Sequence, residues 1–136
     1  MLVCWDQNFT ESARCLGMKG AEIICISTAG EAKIQQIARA IDNGMYVVVA
    51  GINGDIINDG LGNWVSDLLG KPSRIINPIG EVLGEIGPDD DKVLGVEIDL
   101  NAKFTGYWLS VGPTFGEMRS LYTRQRRPDT YSDLLI

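Results

Sequence analysis

An α/β fold is predicted for this chain by the alternation of continuous apolar runs with segments of helical spacing. The runs are "AEIICISTAG" and "MYVVVAGIN", and between them "EAKIQQIARAIDNG" repeats its apolar residues three and four apart. Glycine, proline, asparagine or aspartate separates the segments, so each is bounded by residues that favour turns. Strand, helix, strand, helix, strand in that order implies crossover units in a parallel or mixed sheet.

Taken in order, the chain opens with a short apolar strand that ends at Cys4. "NFTESARCLGMKG" then predicts a helix with Phe9, Ala13, Leu16 and Met18 on one side, closed by Gly17 and Gly20. In "AEIICISTAG" the consecutive Ile23, Ile24, Cys25 and Ile26 predict a strand buried on both faces. The next helix has Ile34, Ile37, Ala38 and Ile41 on its inward stripe and Gly44 as its stop. After the β-branched run of "MYVVVAGIN", the stretch "GDIINDGLGNWVSDLLGKPS" reads as loops. "SRIINPIGEVLGEIG" predicts a hairpin turning at Pro78 to Gly80, because proline fixes φ and removes a donor while glycine relaxes the turn. "DDDKVLGVEIDL" adds an acidic turn and a strand from Val93 to Ile98. One domain, 1–136, is expected, with 101–136 as a C-terminal arm rich in aromatics (Phe104, Tyr107, Trp108, Phe115, Tyr122, Tyr131) and ending in "RQRRPD". That arm either packs on its own domain or crosses to another subunit.

Composition excludes several function classes. A length of 136 residues with 45% hydrophobic content supports a single core, and a net charge of −6 disfavours a nucleic-acid partner. No stretch reaches the roughly 18 apolar residues of a membrane span, and no signal-peptide succession opens the chain, so no membrane partner and a cytoplasmic location are expected. Cys4, Cys15 and Cys25 form neither an even framework nor a CxxC pair, which favours a reducing compartment. The chain has no histidine, which removes Cys–His pairs, Ser–His–Asp triads and His-based metal sites. "GPDDDK" lacks the ligand alternation and closing glutamate of a calcium loop, and neither GxGxxG nor GxxxxGK[ST] is present. No metal and no cofactor are expected.

Cys4 is the candidate nucleophile. At the C-terminal end of a strand it occupies the edge where open α/β sheets place their ligands. Backbone N–H groups of the following residues, beginning with Trp5, are placed to meet a developing oxyanion, and a helix N-terminus nearby favours thiolate. Cys15 and Cys25 fall inside helical and strand patterns and read as packing residues.

Several blocks carry a family resemblance in order along nearly the whole chain: "LVCWDQNFTESARCLGMKGAEIICISTA", "ARAIDNGMYVVVAGING", "GKPSRIINPIGEVLGEIG", the strand to "EIDL", and "RRPDTYSDLL". Together they resemble the C-terminal half of the nitrilase superfamily, the carbon–nitrogen hydrolases, and most nearly its N-carbamoylputrescine amidase type. The resemblance implies one half of a nitrilase-type four-layer α-β-β-α sandwich, and hydrolysis of an amide or N-carbamoyl amine through a thioester at Cys4. It also implies a glutamate base and a lysine that precede the cysteine in the family, and only three residues precede Cys4 here. Lys19 and Lys33 lie in the wrong part of the pattern. Glu11 matches a scaffolding glutamate, and Asp6 matches a loop aspartate that can be fixed beside Arg14 or by loop amides. Thr10 and Ser27 stand where many relatives have proline, which loosens the loop.

Specificity is implied by the same comparison. Relatives acting on N-carbamoyl amino acids carry arginine after the aspartate, whose fork holds a carboxylate. Gln7 stands there in this chain, which favours a neutral or cationic small-molecule substrate, and Asn8 and Thr28 are candidates for pocket polarity. The alternative is a catalytically inactive half-domain with a structural or interaction role. Strands apolar on both faces imply in either case that a homo-oligomer or the missing N-terminal half covers the sheet.

Overall fold

The structure, a computed structural model, describes residues 1–52, 71–87, 90, 92–105, 116–131 and 133. The elements are β1 (Leu2–Val3), a 3-10 turn (Cys4–Asn8), α1 (Thr10–Met18), β2 (Ile23–Ser27), α2 (Lys33–Asn43), β3 (Tyr46–Ala50), β4 (Ser73–Ile76), β5 (Val82–Ile86), α3 (Met118–Arg124) and a second 3-10 turn (Pro128–Thr130). The loops expected over 53–70, the aspartates Asp89 and Asp91, and Tyr107, Trp108 and Phe115 lie outside the described residues.

The sheet runs in the order β1-β2-β3-β4-β5. Its first three strands are parallel and the last two antiparallel, the mixed sheet that the alternation implies. The core is built by Leu2, Ile24, Ile26, Val47, Val49 and Ile76 from the strands, with Ala13, Ala40 and Met45. The two alanines are fully buried, which brings the axes of α1 and α2 close to the sheet.

Several expectations change. β2 is not buried on both faces: Ile24 and Ile26 are covered, while Ile23, Cys25 and Ser27 are open. The helices cover one face only, and among the described residues nothing covers β2 on the other. Cys25 is therefore exposed on the open face and Cys15 is exposed on α1, so neither is a packing residue. Phe9 precedes α1 as its N-cap residue and is half-exposed, as is Met18, which leaves Ala13 as the helix's buried contact. The inward face of α2 is rotated from the predicted stripe. Gln36, Arg39, Ala40 and Asn43 are buried, whereas Ile34 is 82% exposed.

Two turns follow their sequence signals. α2 stops at Gly44, whose φ of 60° is the left-handed cap, and a Cβ there would lie 3.0 Å from the backbone nitrogen of Arg119 in α3. β4 and β5 form the predicted hairpin around Gly80 (φ 88°). Asn77 Oδ1 accepts from the N–H groups of Ile79 and Glu81, and Asn77 Nδ2 donates to Glu81. The predicted strand from Val93 to Ile98 joins no ladder. Its Leu94 lies against the bare face of Gly84, where a Cβ would sit 2.7 Å from Leu94 Cδ1, so the segment crosses the sheet instead of extending it. The described part of the C-terminal arm packs on its own chain: Phe104 meets Tyr46 edge-on at 5.9 Å, and Arg119 pairs with Glu22 at 3.2 Å.

β3 gives way to β4 through a close backbone crossing. Gly51 N–H donates to Ser73 Oγ at 3.1 Å, and a Cβ at Gly51 would lie 2.0 Å from the Lys71 carbonyl oxygen. Both atoms belong to or touch main chain, so a side chain can enter only if the strand ends separate. Gly51→Ala is expected to lower unfolding free energy by about 2–3 kcal/mol, measured by urea denaturation; an unchanged midpoint would show that the crossing yields at no cost.

Candidate active site

Cys4 follows β1 directly and begins the 3-10 turn, so it stands at the C-terminal edge of the three parallel strands. Its φ is +45°, and among the described residues it alone holds a positive φ without being glycine. A β-carbon in the left-handed region costs roughly 1–2 kcal/mol, and such strain collects at functional sites. The conformation turns the chain sharply from strand to helix, the geometry by which a strained nucleophile is presented at a sheet edge. The thiol is only partly covered.

The turn folds back on itself. Asp6 Oδ2 accepts the Val3 N–H at 3.1 Å, and Asn8 Nδ2 donates to the Trp5 carbonyl at 3.2 Å. The Trp5 N–H lies in the first turn, where helical backbone donors have no intrahelical acceptor. Trp5 is 71% exposed.

Beneath the turn the contacts are polar and buried. Arg39, 4% exposed, donates from Nε to the Gln7 carbonyl at 3.0 Å and from a terminal nitrogen to the Asn8 carbonyl at 3.2 Å, closing the turn's C-terminal end with positive charge. Gln7, 2% exposed, donates from Nε2 to Thr28 Oγ1 at 2.9 Å and accepts from Gln36 Nε2 at 2.9 Å. Thr28 Oγ1 also bonds with Gly30 as donor and acceptor, fixing the loop after β2. Gln36 Oε1 accepts from Arg74 at 2.6 Å. The Arg74 guanidinium meets Glu31 and Glu85, each at 2.8 Å, and Glu85 also takes Lys33 at 2.9 Å. Burial works against the charge on Arg74, but the two carboxylates outweigh it and hold its pKa above the usual arginine range. Lys33 first and Arg74 second hold Glu85 below the ordinary carboxylate value.

The structure thus joins Cys4, Trp5, Asp6, Gln7, Asn8 and Thr28 in one neighbourhood. Gln7 is neither a solvated loop residue nor open to a pocket: it turns under the backbone, bonded to Thr28, and both are covered. Asp6 is held by a loop amide and not by Arg14, whose guanidinium bonds the Asp42 carbonyl and ties α1 to α2. Glu11 is exposed at the start of α1; its own backbone N–H, then Thr10, keep its pKa low. Gln36, Arg39 and Arg74 escaped the sequence reading. Their signal was faint: Gln36, Arg39 and Asn43 recur at helical spacing, which reads as a solvent face unless the apolar stripe is known to be rotated.

A carbon–nitrogen hydrolase family model matches residues 1–102. N-carbamoylputrescine amidase of Solanum tuberosum is 30% identical over 150 residues, covering 98% of this chain and 45% of its own length. The structure of a carbon–nitrogen hydrolase from Helicobacter pylori G27 is similar over 99% of this chain and 48% of that one, with 26% identity and a TM-score of 0.69. A mutant of the amidase from Nesterenkonia sp. AN1, with the acetamide moiety of fluoroacetamide added covalently at its active site cysteine, is 29% identical with a TM-score of 0.50, over 63% of this chain and 32% of that one. The α/β sheet is therefore that of the nitrilase fold. The chain spans about half the length of the curated relatives it matches.

Strain at Cys4 is measurable without any substrate. Cys4→Gly is expected to be at least as stable as the wild type, by up to about 1 kcal/mol, since relief of the left-handed strain exceeds glycine's added chain entropy. Cys4→Val is expected to lose about 1–2 kcal/mol, because a β-branched residue fits that region worst. Denaturant titration of both variants checks this, and the reverse ranking would show a relaxed backbone at residue 4.

Proposed function

This chain belongs to the carbon–nitrogen hydrolase family, and from that premise we propose that it carries the nucleophile of an amidase, with Cys4 as the attacking residue. The observation that carries this reading is the left-handed backbone of Cys4 at the C-terminal edge of β1. A packing cysteine needs no such conformation.

In the proposed reaction, Cys4 Sγ adds to the carbonyl carbon of an amide. The oxygen takes up negative charge and meets the Trp5 N–H, while the proton of the thiol passes through a base to the departing nitrogen. The C–N bond breaks, ammonia or an amine leaves, and water then cleaves the thioester to the acid and restores the thiol. The glutamate base and the lysine of the family pattern are assigned to polypeptide outside these residues. Of the local groups, Asp6 is turned to the Val3 N–H and Lys33 to Glu85.

The substrate proposed is a neutral or cationic amide or N-carbamoyl amine. The N-carbamoylputrescine amidases among the relatives support this class, and a net charge of −6 attracts cations more than anions. Gln7 supports it only by its uncharged character, since its side chain is buried. A reducing, cytoplasmic setting suits the free thiols of Cys15 and Cys25, both exposed.

Ammonia release from neutral and cationic amides is expected for an extended chain carrying the family glutamate and lysine, with a loss of at least about 1,000-fold in Cys4→Ala. Intact mass spectrometry is expected to find an acyl adduct on Cys4. Hydrolysis that survives Cys4→Ala would overturn the assignment.

The second reading, an inactive half-domain with an interaction role, draws on the open sheet face, where Val3 is 53% and Ile23 38% exposed. Both readings require that face to be covered, by the remaining half of the sandwich or by a second copy, because monomers rarely leave more than a few hundred Å² of contiguous apolar surface in water. Sedimentation of the 136-residue chain is expected to give a dimer or larger species; a compact monomer would refute the cover.

A further inference from the structure

Arg74 is a donor without any acceptor, and this fixes the direction of every bond that leads from it towards Cys4. Gln36 must turn its oxygen to the guanidinium, at 2.6 Å, and so presents its Nε2 to Gln7. Gln7 must then accept through Oε1 and present its own Nε2 to Thr28 Oγ1, at 2.9 Å each. Thr28, receiving that donor and the Gly30 N–H, has its hydroxyl proton left for the Gly30 carbonyl. Reversing either amide would set donor against donor, and the four side chains are 1–6% exposed, so water cannot make up for a mismatch. Gln7 is three residues from Cys4 within the same 3-10 turn.

We propose that Arg74 and Gln36 are positioning residues for Cys4: the polarised chain Arg74–Gln36–Gln7–Thr28 holds the turn so that the cysteine keeps its left-handed backbone. This deepens the amidase reading and rests on it for the role of Cys4. It also reassigns Gln7 and Thr28, expected from the sequence to meet substrate, to holding the loop that carries the sulfur. The far end of the chain is anchored by Glu31 and Glu85, which embrace Arg74 from the loop before α2 and from β5. The hairpin thereby communicates with the turn through a fixed geometry.

The readout is the rate at which iodoacetamide alkylates Cys4 relative to Cys15 and Cys25, followed by mass spectrometry on the intact 136-residue chain. The two exposed cysteines serve as internal references, and no substrate turnover is needed. Gln36→Met, which keeps the volume and removes both bonds, is expected to lower the Cys4 ratio about tenfold. Gln36→Glu accepts from Arg74 but offers Gln7 no donor, and is expected to lower it nearly as far while retaining the fold. Arg74→Lys, still a donor without an acceptor, is expected to retain most of the wild-type ratio. Ile76→Val, a core change beside Arg74 on β4, serves as the comparison for stability loss alone and is expected to leave the ratio unchanged. If Gln36→Met and Gln36→Glu keep the wild-type ratio, or if Ile76→Val lowers it equally at the same loss of melting temperature, the positioning role is wrong. If Cys4 in the wild type reacts no faster than Cys15 and Cys25, the turn does not poise the sulfur and the positioning role is wrong, whereas the nucleophile assignment is tested separately by ammonia release from the extended chain and its loss in Cys4→Ala.

Discussion

A single backbone angle organises this molecule. Cys4 has φ +45° at the exit of β1, and an L-residue stays there only if its surroundings allow nothing else. What surrounds it is polar: Arg39 on the carbonyls of Gln7 and Asn8, and the Gln7 amide wedged between Thr28 and Gln36. The bonds of Gln7 to Arg39, Thr28 and Gln36 are buried and that of Asn8 partly so, and releasing the turn would leave several of these groups unpaired at once. That collective penalty exceeds the cost of one strained residue.

The same requirement explains why α2 looks misoriented. A helix packed on a sheet ordinarily turns its apolar stripe inward. Here the inward face must also serve the turn, so Gln36, Arg39 and Asn43 share it with Ala40, while Ile37 and Ile41 shift sideways to meet the hairpin at Gly80 and Ile34 is left in solvent. Local hydrophobic preference yields to the need to satisfy the buried polar groups of the turn.

The parts legible in the sequence were those with local causes. The continuous runs around Ile24 and Val48 and the spacing of Ile34 to Ile41 announced the alternation of elements, and Gly44 and Gly80 marked stops that the backbone confirms. Cys4 was visible because a strand ends there. What stayed hidden depends on contacts distant in sequence. Nothing near residue 36 says that its amide meets residues 7 and 74, and the openness of Cys25 follows from what lies across the sheet, not from the run of isoleucines around it. The Val93 to Ile98 run has the residues of a strand, but the slot above Gly84 draws Leu94 onto the sheet's surface. Alternation of side chains cannot report such a choice.

The bond from Arg74 to Gln36 spans 38 residues, and that from Gln36 to Gln7 spans 29. Both contacts are non-local, so neither can form until the later segment that supplies its partner has been made. During synthesis the sulfur at residue 4 therefore emerges long before β4 can reach it. For that interval residue 4 sits on a segment that these bonds do not yet hold, and its left-handed backbone is secured only once β4 is in place.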